Sequence, residues 1–394
     1  MHNKTGTITV YTKEWKIASE ESEPQVFKKL ALTLLMTTMV FSAGIAGPSQ
    51  DKAQAASAGT VQAKTADQLY PVEVNGKYGF INGKGRVVIE AVYDGYGYSG
   101  VPGGTLYVED HAAKKQYYFS SAGTKLFEYK LRDAGILYND RALYTAQIQT
   151  AGGAKATRYG YIDSQGKVAI QPIYVRAFNF SEGLARVNMG KASGYINTKG
   201  KLIVPYQYSS TTDFSDGMAA VTLAVGGKYG YIDTTGKLRI TPRYDYATPF
   251  SDGAAAVYVN GKYGYIDKKG NYLIKPQFSM AQPFSEGLAF VERNGVTFYI
   301  NKKGTKVIQG FTAGGLFKGG LASASPGQRY GYINTSGRFV VKPQLYWAAD
   351  FNGELAEITL LVPDTREEIR GYMNRSGTIV WPPASGLPAG VVKP

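Results

Sequence analysis

The stretch KYGYIDKKGNYLIKPQF, from Lys262 to Phe278, decides the fold because it comes back along the chain. Close copies of its opening start at Lys77 (KYGFINGKGR), Arg158 (RYGYIDSQGK), Lys228 (KYGYIDTTGK) and Arg329 (RYGYINTSGR). Looser copies start at Ala192 (ASGYINTKGK), Thr297 (TFYINKKGTK) and Arg370 (RGYMNRSGTI). With an eroded copy around Tyr117 they make nine units, most of them about 34 residues apart. Self-similarity at a fixed period of this length marks a repeat architecture.

Each unit carries four local signals. Tyr-Gly-Tyr-Ile reads as a strand; residues two apart share a strand face, so Tyr159 and Tyr161 point one way and Gly160 and Ile162 the other. Asp/Asn-x-x-Gly, as at Asp163 to Gly166 and Asp233 to Gly236, reads as a tight turn closed by a left-handed glycine. A second strand is expected to end at Pro172, Pro242 and Pro276, since proline cannot donate to a ladder. A Phe-Ser-Asp/Glu-Gly turn, at Phe180, Phe214, Phe250 and Phe284, opens a third strand. An Asn-Gly step such as Asn260-Gly261 leads that strand into the next unit.

The unit is thus a three-stranded meander, with a short fourth strand around Tyr-x-x-Ala-x-x-Phe as the alternative. So small a sheet cannot bury its own apolar face, and neighbours must supply the core. The expected fold is all-β: tandem ~34-residue meanders stacked as an open β-solenoid or superhelix, with caps near Tyr70 and after Gly371. A closed β-propeller is the alternative; its blades usually hold four strands and about 40 or more residues, which favours the open form here.

Together the four signals resemble the WG-repeat (KWG-repeat) family of bacterial proteins, from roughly Val72 to Pro383. The chain departs from that pattern where the usual Trp is Tyr, at Tyr78, Tyr159, Tyr229, Tyr263 and Tyr330, or is Ser193 or Thr297. The resemblance implies an all-β repeat body, often on exported proteins, and supplies no catalytic residues.

Composition narrows the chemistry. There is no cysteine, which excludes disulfides and thiolate zinc sites, and the two histidines, His2 and His111, are far apart in sequence. Neither a histidine metal site nor a Ser-His-Asp triad is expected, and no cofactor. The formal charge of +14 favours anionic partners, or else its lysines keep a Tyr-rich β-protein soluble and guard its edges. At the front, Lys28-Lys29, the uncharged run from Leu30 to Ala46 and Ala53-Gln54-Ala55 read as a secretory signal peptide over 28–55. Its apolar run falls short of the ~20 residues of a membrane span, so no stable transmembrane segment is expected after processing. Residues 1–27 read as a non-native or cytoplasmic extension, with a start at Val26 expected to make residues 1–25 non-native; 56–71 read as linker or cap, 72–383 as the array and 384–394 as a disordered tail.

Two recurring sets of side chains are candidates for a site. The carboxylates Asp163, Asp233 and Asp267, and Glu182, Asp216, Asp252 and Glu286, read as turn formers; Asn fills the first slot at Asn82, Asn197, Asn301 and Asn334. The pairs Tyr159/Tyr161, Tyr229/Tyr231 and Tyr263/Tyr265 read in two ways. They are an aromatic ladder for polymer or sugar rings, flanked by Lys77, Arg158, Lys228, Lys262 and Arg329, or they are the packing between units with hydroxyls in solvent. The functional expectation is a secreted, non-enzymatic binding or scaffold module. It would hold an anionic cell-wall polymer or polysaccharide, or a protein partner, and export argues against nucleic acid. An extracellular glycan hydrolase and a purely structural spacer are the alternatives.

Overall fold

The computed structural model describes residues 68–387 apart from 101–103, 131–132, 151 and 363–364; the expected signal peptide lies outside the described residues. The chain forms nine antiparallel meander sheets, eight of four strands and one of three. They are numbered here as blades 1 (69–93), 2 (95–130), 3 (134–174), 4 (176–208), 5 (210–244), 6 (246–278), 7 (280–309), 8 (313–345) and 9 (347–381). The short fourth strand of the sequence reading is real and comes first in each four-stranded sheet. In blades 5 to 9 it is two residues long, as at Tyr246–Ala247, too short to show alternation.

The core does not lie inside the blades. It divides into nine clusters, each shared by two successive blades. Between blades 3 and 4, Tyr161, Ile170 and Tyr174 pack against Ala177, Phe180, Ala185, Val187 and Ile196. Nine blades in an open row have eight interfaces. The ninth cluster joins Tyr70, Val72 and Ile81 of blade 1 to Leu355 and Tyr372 of blade 9. The expectation of an open solenoid is therefore overturned: the protein is a nine-bladed β-propeller. A three-stranded reading of the unit hid the inner strand, and so hid the sheet size that suits a blade. The terminal units do not act as caps, because each buries its apolar face on the other.

Among the described residues closure uses no shared strand, since blade 1 holds only strands from its own end of the chain. It uses Tyr70. This residue pairs with Ile81 where other blades pair Ala185 with Ile196 or Ala289 with Ile300. The longer side chain reaches blade 9, where its hydroxyl donates to the carbonyl of Asn352 (2.8 Å) and accepts the N–H groups of Glu354 (3.0 Å) and Leu355 (3.3 Å). Its ring lies 5.5 Å from that of Tyr372. The general shingling of the ring also crosses the seam. The turn glycine of each blade rests on the outer strand of the blade before it, Gly200 on Ile170 and Gly270 on Ile240, and Gly85 rests on Val380.

Glycine and proline of the repeat serve one local device. The outer strand Val168–Tyr174 runs through Pro172 and does not end there, because the proline sits in a bulge between the pairs Tyr161↔Ile170 and Tyr159↔Tyr174. A bulge frees the backbone position that proline cannot use. It also presses the outer strand onto the facing glycine, where a Cβ at Gly230 would lie 2.4 Å from the Ile240 carbonyl oxygen. Blades 2 and 7 carry Tyr117 and Phe298 at this position, and there the same register shift is missing. At the other end, Ala384–Gly386 forms a 3-10 turn and Leu387 packs on the last interface.

Two outcomes are expected. Tyr70→Phe removes a hydroxyl that satisfies three backbone groups at the seam and should cost about 1–3 kcal/mol, read from the urea midpoint. Gly230→Ala forces a clash with backbone and should cost at least about as much, whereas alanine at the open Gly261 should act only through its positive φ.

Candidate functional site

Three hydrogen bonds recur from blade to blade and fix where every candidate side chain lies. First, the second tyrosine of Tyr-Gly-Tyr-Ile donates its hydroxyl to a carbonyl of the next blade. Tyr161 reaches Phe178 (2.7 Å), Tyr195 reaches Thr212 (2.6 Å), Tyr231 reaches Thr248 (2.7 Å) and Tyr265 reaches Gln282 (2.6 Å). The same rings meet the next blade's turn phenylalanine edge-on, with centroids 4.8 Å apart for Tyr161 and Phe180 and for Tyr231 and Phe250. Second, the turn serine donates to the carbonyl of that phenylalanine's counterpart one blade on, Ser215 to Phe250 (2.7 Å) and Ser285 to Phe317 (2.6 Å). Third, the turn acid accepts a glycine N–H from the next turn: Glu182 from Gly217 (2.9 Å), Asp216 from Gly253 (2.7 Å), Asp252 from Gly287 (2.6 Å).

The third bond explains a residue choice that turn chemistry alone leaves odd. Glu182, Asp216, Asp252 and Glu286 all hold left-handed φ values of 52–53°. Asn or Gly is at home there and Glu is not. A carboxylate, Asp or Glu, is used because it accepts an N–H from the neighbouring blade. These four acids are inter-blade connectors as well as turn residues. By contrast Asp163, Asp233 and Asp267 behave as the sequence suggests. Their Oδ1 atoms each accept two N–H groups of their own turn, as Asp163 does from Gln165 and Lys167, and Asn197 does the same with Lys199 and Lys201.

The predicted aromatic and basic set is split by the fold. Tyr161, Tyr231 and Tyr265 are 0 % exposed, and burial raises each phenol well above its ordinary pKa. Their hydroxyls reach carbonyls, not the solvent expected for packing tyrosines. Tyr159, Tyr229 and Tyr263 are half-buried. Tyr229 stands 5.9 Å from Tyr246 and Tyr263 stands 4.7 Å from Tyr258. Lys228 is tied to Asp245, Arg329 lies over the ring of Tyr346 at 6.0 Å, and Lys262 is exposed. Blade 4 interrupts the row with Ser193, so the half-buried tyrosines do not form one continuous strip.

Two features were not legible in the sequence. A groove of about 370 Å³ is lined by Tyr107, Asp133, Leu143, Thr145 and Asn179, from blades 2, 3 and 4 and the lead into blade 3. Asp350 accepts the N–H of Leu316 (2.9 Å) and faces the hydroxyl of Ser323 (3.4 Å); burial pushes its carboxyl up to about 6. Gly315 makes room for it, since a Cβ there would lie 2.0 Å from Asp350 Oδ1. No repeat signal marks Asp350, because Asp213 is the only other acid at that place in a blade and it pairs instead with Arg186 (2.6 Å).

A ring of equivalent blades, knitted by side chain to backbone bonds, is what the WG pattern builds here. The WG-containing-repeat model matches residues 78–99, 159–191, 194–228, 229–263, 263–296 and 330–360, and the chain belongs to the WG-repeat family. No curated protein matches its sequence. Solved structures similar in shape include Hsv2 of Kluyveromyces lactis (10% identity, 70% of this chain and 96% of that one, TM-score 0.35). AztD of Citrobacter koseri (10%, 68% and 93%, 0.32) and virginiamycin B lyase of Staphylococcus aureus (14%, 65% and 88%, 0.29) are others. Such scores leave the fold resting on the chain's own topology.

Asp350 has a pH signature. Its folded pKa lies above the ~3.9 of an unfolded aspartate, so between about pH 4 and 6 the folded state keeps a proton that the unfolded chain has released. Stability from this group falls as pH rises through that window. Asp350→Asn should flatten that part of the curve, measured as urea midpoints at half-unit steps from pH 4 to 7.

Proposed function

We propose that this propeller is a secreted, non-enzymatic binding platform for an anionic polymer of the cell envelope. One observation carries the reading: apart from the half-buried tyrosines, the side chains that recur from blade to blade are mostly either consumed by the ring or cationic. The turn acids accept N–H groups from the next blade or from their own turn. The second tyrosines are sealed between blades. What recurs at the surface without a structural duty is lysine, in a chain of formal charge +14. Many weak, equivalent charge contacts suit a repeating polymer better than a single small substrate, because linked sites gain affinity by effective concentration. Export is part of this reading and rests on the signal-peptide pattern of residues 28–55.

The test is retention on purified cell wall at low and high salt. Retention that weakens steeply as salt rises is expected, since contacts between exposed charges are screened. Retention indifferent to salt, or none at low salt, sinks the polymer reading.

A further inference from the structure

The meander order fixes which loops share a face. The first-to-second and third-to-fourth turns of every four-stranded blade emerge on one side of the ring, with the last turn of three-stranded blade 1, and the second-to-third hairpins and the links between blades emerge on the other. The third-to-fourth turns are the Asp/Asn-x-x-Gly turns, with Ser120 in the first place in blade 2. Each contains or adjoins a lysine or arginine in every blade of the described chain. Lys167, Lys199, Lys201, Lys237, Lys268 and Lys269 are all exposed and form no ion pair among the described residues. On the same face Lys302 is held by Asp252 (2.8 Å) and Lys125 by Glu128 (3.4 Å); on the opposite face Lys77 is held by Asp94 (2.6 Å), Lys228 by Asp245 and Lys115 by Glu128, while Lys262 is exposed.

The turn lysines are also anchored at their roots. The carboxylate or amide oxygen that shapes each turn accepts the backbone N–H of the lysine itself: Lys167 on Asp163 (2.9 Å), Lys201 on Asn197 (3.0 Å), Lys237 on Asp233 (3.0 Å), Lys269 on Asp267 (2.9 Å). The glycine of the same turn rests on the preceding blade. Successive turns therefore overlap into a belt whose charges stand at fixed intervals around the rim. A preformed row loses less freedom on binding than a row on mobile loops.

We infer that this belt of third-to-fourth turns is the binding face, and that its ligand is a linear polymer of phosphodiesters laid along the rim. The inference rests on the polymer reading above and adds to it the face and the ligand chemistry. A linear chain laid around the circle engages successive turns one after another, and vesicles carrying the same phosphate chemistry are the arm that tests a lipid source. The opposite face, where the sequence placed Lys228, Lys262 and Arg329, is then not the contact surface.

The test uses the full chain, poly(glycerol phosphate) and, as a separate arm, phosphatidylglycerol vesicles. One variant carries Lys167→Gln, Lys199→Gln, Lys201→Gln, Lys237→Gln, Lys268→Gln and Lys269→Gln. A control carries Lys155→Gln, Arg158→Gln, Lys228→Gln, Lys262→Gln and Arg329→Gln. Thermal melts first establish that both remain folded. The belt variant is expected to bind the polymer at least about tenfold more weakly with a shallower salt dependence, and the control to stay within about twofold of the parent. Equal losses in the two variants, or loss in the control alone, overturn the belt while leaving polymer binding in place. Binding by vesicles alone overturns the ligand chemistry. Failure of the parent to bind the polymer while it is retained on cell wall overturns the phosphodiester; failure on both removes the polymer reading itself.

Discussion

Everything in this ring depends on a contact between one blade and the next: a buried tyrosine whose ring meets a phenylalanine edge-on while its hydroxyl holds a carbonyl. Tyr161, Tyr195, Tyr231 and Tyr265 repeat it with near-constant geometry. A four-stranded sheet this narrow has two apolar faces and no means of covering either. The tyrosine supplies both needs of such an interface, since its ring fills the wedge and its polar end satisfies a backbone group that burial would otherwise leave costly. Seen this way, the propeller is a chain of interfaces, and the sheets are what lies between them.

The same constraint explains how far the sequence could be read. The repeat, the third strand and the Asp/Asn-x-x-Gly turn stood out because each rests on local rules, such as alternation at Tyr159 to Ile162 and turn chemistry at Asp163. The dependence of each unit on its siblings was also evident, as was the family resemblance, which the family match bears out. Closure was not evident. It turns on a two-residue inner strand such as Tyr246–Ala247, which has no pattern of its own, and on Tyr70, which differs from Ala185 or Ala289 only by standing where the ring must meet itself. Proline misled for a related reason. Pro172 ends a ladder in isolation, yet in the blade it occupies a bulge that the facing Gly160 permits.

For the candidate site, residue type was the right signal and local structure the wrong guide to role. Turn chemistry accounts for Asp163 but leaves half the duty of Glu182 unexplained, because the N–H it accepts belongs to a residue 35 positions further on. The tyrosine pairs likewise divide by burial, which depends on which face of the strand the next blade covers. Long-range partners of this kind become visible only when one blade is packed against the next.

The sequence repeat and the blade are out of step. A unit counted from Tyr-Gly-Tyr-Ile supplies the outer half of one blade and the inner half of the next, so each copy of the motif is a staple across an interface. Duplication or loss of one copy inside the chain would therefore change the number of blades without creating an unmatched junction, since both new edges already fit. The ring would then close at a different angle per blade, spread over every interface, and the contact that must still find its partner is the seam, where Tyr70 meets blade 9.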